Sequence, residues 1–192
     1  MTKVKQKFRR RRAEILEAAI PFITDTSFEE ISVSDICRDL GISVGTFYHY
    51  FQKKTDLLIG LLWLIDEDLE ENVFPLLTSE NELDNLRLFA RGWAQHVENH
   101  GIERSRLISG INPEDEGFPE HERPAIHKLT EIITAGQEKG QITTESSPEL
   151  LTELFLLTLR SVTMDWSRRD GSYPIVDKMN AYIDVFLRAF RP

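Results

Sequence analysis

Between Ser43 and Lys54 the chain gathers hydroxyls, rings and ammonium groups into one short segment, SVGTFYHYFQKK. These are the groups that bond phosphate oxygens and base edges of a nucleic acid. On a helix, Phe47 falls inward. Ser43, Val44, Gly45 and Thr46 then form a leading edge thin enough to approach a groove. Tyr48, His49 and Tyr50 stand beside it, placed for phosphates or base edges. Lys53 and Lys54 precede the next helix, where the helix dipole favours a phosphate. Ser32 and Ser34 one helix earlier, and Arg11 and Arg12 in the N-terminal basic run, complete the expected DNA-contact set.

Positioning such a set requires two short helices and a sharp turn. Ser32 precedes an apolar-periodic run and Asp35 follows it three residues later, the spacing of a capping box. Val33, Ile36, Cys37 and Leu40 recur at helical spacing. Gly41 supplies the positive φ of the turn, and Ser43 is placed to cap the second helix. Cys37 is small enough to let two helices cross closely, so it is expected to be buried rather than a redox sensor. The pattern is that of a helix-turn-helix.

With its residues in that order, the segment resembles the N-terminal domain of TetR-type transcriptional regulators. The likeness is carried by Gly41-Ile-Ser-Val-Gly45-Thr46-Phe47-Tyr48-His49-Tyr50-Phe51, then Lys54 and Asp56-Leu57-Leu58. It runs from about Ile15 to Leu62 and is only architectural beyond. Thr26-Ser27 stands where the family usually ends its first helix with glycine, and Lys53-Lys54-Thr55 adds a positive charge to the family pattern. The resemblance implies a DNA-binding head, a helical ligand-binding body, and a two-fold four-helix dimer interface formed by the final helices.

The charge distribution agrees with this division. Net charge is −9 for 192 residues. Residues 1–55 hold ten Lys/Arg against seven Asp/Glu, net +3, and residues 56–192 hold thirteen against twenty-five, net −12. An acidic body repels phosphate and turns the basic end toward DNA. One cysteine excludes an internal disulfide, and no apolar run reaches membrane-span length. A cytoplasmic protein, nucleoid-associated when bound to its operator, is the expectation.

The expected fold is all-α with about nine helices: a DNA-binding domain at 1–54 and a ligand-binding and dimerisation domain at 55–192. Helices are predicted near 7–24, 32–40, 43–51, 53–74, 82–100, 102–111, 123–140, 148–169 and 174–190, with a bend at Pro21 and an acidic loop from Asn112 to Glu122. No strand pattern or internal repeat is visible. Trp63, Phe89, Trp93, Phe155 and Trp166 are candidate ligand walls, with His96 and Arg104 as polar partners. Leu151, Phe155, Leu159 and Val162 share one helical face, and with Tyr182 and Phe186 they form the candidate dimer interface.

His96 and His100 have a spacing that can bind metal, and Glu103, His121 and His127 could add a ligand. No established motif joins them, and neither metal nor cofactor is expected. There is no Gly-rich phosphate loop, nucleophile elbow or His-Glu metal helix, so an enzyme is not expected. These readings converge on a ligand-responsive, DNA-binding homodimer: a repressor released from a palindromic operator by a mainly apolar inducer. The alternative is a helical small-molecule carrier or scaffold with a vestigial DNA-binding head.

Overall fold

The structure, a computed structural model, describes residues 3–25, 28, 30–109 and 120–192. The Thr26-Ser27 step and the acidic loop from Asn112 to Pro119 lie outside the described residues, as do the side chains of Lys3, Lys5 and Arg9. Eight α-helices account for the described fold: α1 (Lys3–Asp25), α2 (Val33–Asp39), α3 (Val44–Tyr50), α4 (Asp56–Asn72), α5 (Glu82–Ser109), α6 (Pro124–Glu138), α7 (Pro148–Arg168) and α8 (Ile175–Phe186). Short 3₁₀ turns follow α4 at Phe74–Leu76, precede α6 at Glu120–Glu122 and extend α8 at Leu187–Phe190. No strand occurs among the described residues. None of their helices is long and apolar enough to cross a membrane.

Local chemistry sets most boundaries. The Ser32 hydroxyl accepts from the Asp35 amide at 3.1 Å while the Asp35 carboxylate accepts from the Ser32 amide at 3.2 Å, closing the capping box. Gly41, at φ +62°, ends α2: its amide reaches Arg38 O and the Ile42 amide reaches Cys37 O at 3.0 Å. That pairing is a Schellman motif, and it needs the left-handed residue that glycine supplies. Ser147 caps α7 and Pro148 fills its first position. α1 continues through Pro21 to Asp25.

Two apolar cores result. The head core joins α1, α2 and α3 through Ile15, Leu16, Ala19, Ile36, Cys37 and Phe47. The body core surrounds α5, which packs against α4, α6, α7 and α8. α4 serves both, giving Leu57 and Leu61 to the head and Ile65 and Leu69 to the body.

The break predicted between 82–100 and 102–111 lies inside α5, which is two helical segments divided at Gly101 with φ 83° and ψ 179°. An added Cβ would meet nothing within 4 Å there, so backbone conformation alone demands glycine. Side-chain-bearing residues hardly enter this region. Gly101→Ala should therefore destabilise the protein by about 1–3 kcal/mol in urea unfolding. An unchanged midpoint would mean that the break relaxes into continuous helix at no cost.

Candidate functional site

The head presents one side of α3 to solvent. Ser43 caps the helix, its hydroxyl accepting from the Thr46 amide at 3.0 Å and bonding the Thr46 hydroxyl at 2.8 Å. Phe47 and Phe51 are buried beneath. Val44 is 41% and Tyr48 52% exposed, and Gly45 and His49 lie beside them, also exposed. At Gly45 a Cβ would meet only the Ser43 hydroxyl, at 3.8 Å, so no packing inside the chain requires glycine. A bare backbone on the exposed side of a recognition helix is what close approach to a groove calls for.

The other expected contacts divide. Ser32 caps α2 and Ser34 is exposed on it. Arg11 is half-exposed, on Glu14 at 2.8 Å. Lys53 is exposed, and its amide bonds the Asp56 carboxylate at 3.2 Å.

Three residues are held inward instead. Arg12 lies over the Phe51 ring at 5.2 Å; burial lowers its pKa, against the charges of Asp56 and Glu67. Tyr50 packs on Phe8 at 4.8 Å between ring centroids. The Lys54 ammonium donates to the carbonyls of Phe28 at 2.6 Å and Ile31 at 2.9 Å, tying the α1–α2 connection to the start of α4. Lys54 thus staples the head together, a role its spacing in sequence did not reveal.

In the body, a cavity of about 240 Å³ lies among α4, α5, α7 and the start of α6. Its apolar wall includes Leu62, Ile65, Trp93, Val97, Ile108 and Met164. Three expected ligand residues line it: Trp93, His96 and Arg104. The other four do not. Trp63 points to the opposite side of α4, into a groove against α1. Phe89 and Phe155 are fully buried core, and Trp166 is buried with its Nε1 donating to Tyr173 O at 3.0 Å. Large rings satisfied the packing demand of the core before that of the cavity.

The polar wall is unusual. His96 and Arg104 are each only 3% exposed. His96 Nδ1 meets the Asp68 carboxylate at 2.6 Å. A carboxylate can only accept, so Nδ1 carries the proton. Burial, and to a lesser extent His100 and Arg104, pull the His96 pKa down to about 4 against the hydrogen bond it donates to Asp68, and the ring is neutral at physiological pH. Arg104 Nη1 donates to Glu17 in α1 at 2.8 Å, spanning body and head. Sequence reading missed a second cation, Arg123, whose Nε and Nη2 hold the Asp66 carboxylate at 2.9 and 3.0 Å with both residues buried. A signal was available: Asp66 falls on the same α4 face as Leu62 and Leu69, where an acid needs a partner. Arg160 also lines the cavity. No cluster of three His, Cys, Asp or Glu able to hold a metal occurs among the described residues.

The expected dimer stripe also needs correction. Leu151, Phe155, Leu159 and Val162 are all buried in the protomer's own core. Phe186 is half-buried, its ring 5.1 Å from that of Phe190. The outer face of α7 carries Leu150, Leu154 and Leu157 instead, and α8 adds Val185 to the expected Tyr182. Both faces of α7 are apolar at helical spacing, and the face that carries Phe155 went inward.

A two-helix DNA reader on a ligand-sized helical body defines a helix-turn-helix transcriptional regulator. Residues 15–61 match the sequence profile of the family described as bacterial regulatory proteins, tetR family. Transcriptional regulator AcuR of Cereibacter sphaeroides is 24% identical over 156 residues, covering 73% of this chain and 69% of its own. The crystal structure of the transcriptional regulator FadR from Bacillus subtilis in complex with stearoyl-CoA superposes with a TM-score of 0.76 at 20% identity, over 93% of this chain and 99% of FadR. AibR, solved in complex with isovaleryl coenzyme A and operator DNA, gives 0.64 at 20% identity over 95% and 99%. The head, residues 15–61, is that of a TetR-type transcriptional regulator, and the fold of the chain is TetR-like.

Two outcomes follow from this geometry. Tyr48→Ala should leave the melting temperature unchanged, because the ring is half-exposed, yet cost about 1–3 kcal/mol of DNA affinity by fluorescence anisotropy. The His96 pKa of about 4 in the folded chain, against 6.5 unfolded, means that unfolding takes up a proton between those values. This contribution to stability is complete above pH 6.5 and is lost as pH falls through 4. The melting temperature of His96→Gln should therefore fall less steeply over that window than that of the parent; equal slopes would contradict a buried neutral ring facing Asp68, His100 and Arg104.

Proposed function

We propose that this regulator is a dimeric repressor, released from a palindromic operator by a small, mainly apolar ligand. One observation carries the reading: Arg104 lines the cavity and is also hydrogen-bonded to Glu17 of the head, at 2.8 Å. A ligand that alters Arg104 acts directly on the element supporting the recognition helix. Residues 1–54 provide DNA contact through Ser43, Val44, Gly45, Thr46, Tyr48 and His49, with Arg11, Ser34 and Lys53 toward the backbone. Residues 55–192 provide the ligand cavity and the dimer, and α4 spans the two.

Palindromic half-sites one turn apart need two recognition helices roughly 34 Å apart. The outer stripe of Leu150, Leu154 and Leu157 on α7 with Tyr182 and Val185 on α8 is the face through which two copies meet. Leu157 and Ser161 belong both to the α7 surface and to the cavity wall, so a partner on this face covers one side of the ligand. The acyl-CoA complexes of FadR and AibR support an acyl-type effector. Weakening operator binding a hundredfold requires a ligand preference of about 2.7 kcal/mol for the non-binding state. Burying roughly 100 Å² of additional apolar ligand surface in that state supplies an amount of this size.

The deciding experiment incubates the purified protein with fragmented genomic DNA and sequences what is retained. Enrichment of a palindrome, bound with steep salt dependence, supports the reading. A folded dimer that enriches no sequence overturns it in favour of a carrier. Separately, Leu154→Glu and Val185→Glu should each give a folded monomer by light scattering. Either variant should also bind operator far more weakly, because one half-site contact replaces two.

A further inference from the structure

In the body cavity, His96 and Arg104 present polar atoms that are left incompletely bonded. Among the described residues, His96 Nε2 and both Nε and Nη2 of Arg104 are buried without hydrogen-bond partners. Each belongs to a side chain 3% exposed that lines the cavity. Buried polar atoms of this kind are costly unless something satisfies them. What they require differs. Asp68 holds the proton on His96 Nδ1, so Nε2 offers a lone pair and needs a donor. Nε and Nη2 of Arg104 form one edge of the planar guanidinium, and Nη1 outside that edge is occupied by Glu17. Two parallel N–H groups on a permanent cation match the two oxygens of a carboxylate. A lone carbonyl would leave one of them unsatisfied.

We propose that the cavity binds a compact apolar hydroxy acid, its carboxylate on the Nε/Nη2 edge of Arg104 and its hydroxyl donating to Nε2 of His96. The apolar body rests on Leu62, Val97, Ile108 and Met164. The volume, about 240 Å³, falls just below the ~300–1,000 Å³ usual for small-molecule sites, which selects a short chain. The assignment rests on reading this cavity as the effector site. It adds the ligand's chemical class and the residue that reads each of its groups. The carboxylate also shares the Arg104 guanidinium with Glu17, so the ligand and the head engage one cation.

Isothermal titration calorimetry on the full chain, without DNA, tests it with hydroxyhexanoate, hexanoate, hexanamide and hexanol. Hydroxyhexanoate should bind best, hexanoate more weakly, and the amide and alcohol at least tenfold more weakly than hexanoate. Arg104→Gln should abolish the preference for acid over amide, a loss of roughly tenfold to hundredfold. His96→Leu should erase the preference for hydroxyhexanoate over hexanoate and spare that for acid over amide. Glu17→Gln, which leaves the Arg104 edge intact, should still bind acid and so controls for loss of fold. Equal binding of acid, amide and alcohol overturns the proposal, as does an acid preference that survives in Arg104→Gln. The retained operator fragments then separate the two readings. Hydroxyhexanoate that binds through these residues without releasing DNA refutes the effector role but not the site. Release of DNA by a neutral compound in the cavity refutes the ligand class but not the effector role.

Discussion

Asp66 lies midway along α4 on a face otherwise made of Leu62, Ile65 and Leu69, and its carboxylate has no exposure to water. Burial pushes its pKa up, while two hydrogen bonds from Arg123 hold it back. Arg123 is equally buried and sits immediately before α6, so the pair fixes the start of α6 against the middle of α4. Breaking such a pair leaves one charge stranded, at a cost of about 3–5 kcal/mol, whereas replacing both partners with well-packed apolar groups is often neutral. Its structural consequence is placement rather than strength. A fork matched to a carboxylate accepts little angular error. With α4 and α6 set in this way around α5, the space left between them and α7 is the cavity.

The cavity's polarity follows from the same helices. The Gly101 break divides α5 into a segment bearing Trp93, His96 and Val97 and a final segment bearing Arg104, Ser105 and Ile108, and both segments line the cavity. Trp93 Nε1 is satisfied by Thr163 of α7 at 3.2 Å, and Thr163 in turn donates to Leu159 O at 3.0 Å. The α5–α7 side is thus a finished hydrogen-bonded wall. On the α5 side of the cavity, His96 and Arg104 present atoms with bonding capacity still open.

Legibility in the sequence followed the range of the interactions. The head was readable because its constraints are local: a capping box, a positive-φ glycine and a second cap all act within four residues. The roles of Lys54 and Arg12 were not readable, because their partners lie far along the chain, at Phe28 and Ile31 for one and at Phe51 for the other. In the body, periodicity found every helix of the described residues but not which face turned inward. On α7 the stripe 151–155–159–162 and the stripe 150–154–157 are both apolar at helical spacing, and only packing against α5, α6 and α8 chooses between them. Aromatic residues misled for a related reason: Phe89 and Phe155 are fully buried in the core, which leaves the cavity wall to Trp93 with Leu, Val, Ile and Met.

Two physical routes join cavity and head. Glu17 is half-exposed and Arg104 only 3% exposed, so the bond between them joins a water-screened carboxylate to a buried cation. The second route is steric. α4 meets α1 at Gly60, where even a Cβ would come within 2.8 Å of Leu16 Cδ2. Leu16 belongs to the head core with Phe47, and α4 itself adds Leu57 and Leu61 to that core. Close-packed contacts of this kind shift as a unit rather than yielding gradually. In the proposed switch, a ligand pressing on Leu62 and Ile65 would move the head through α4. Arg104 would make that response depend on what the ligand carries: packing would supply the displacement, and the cation the chemical selectivity.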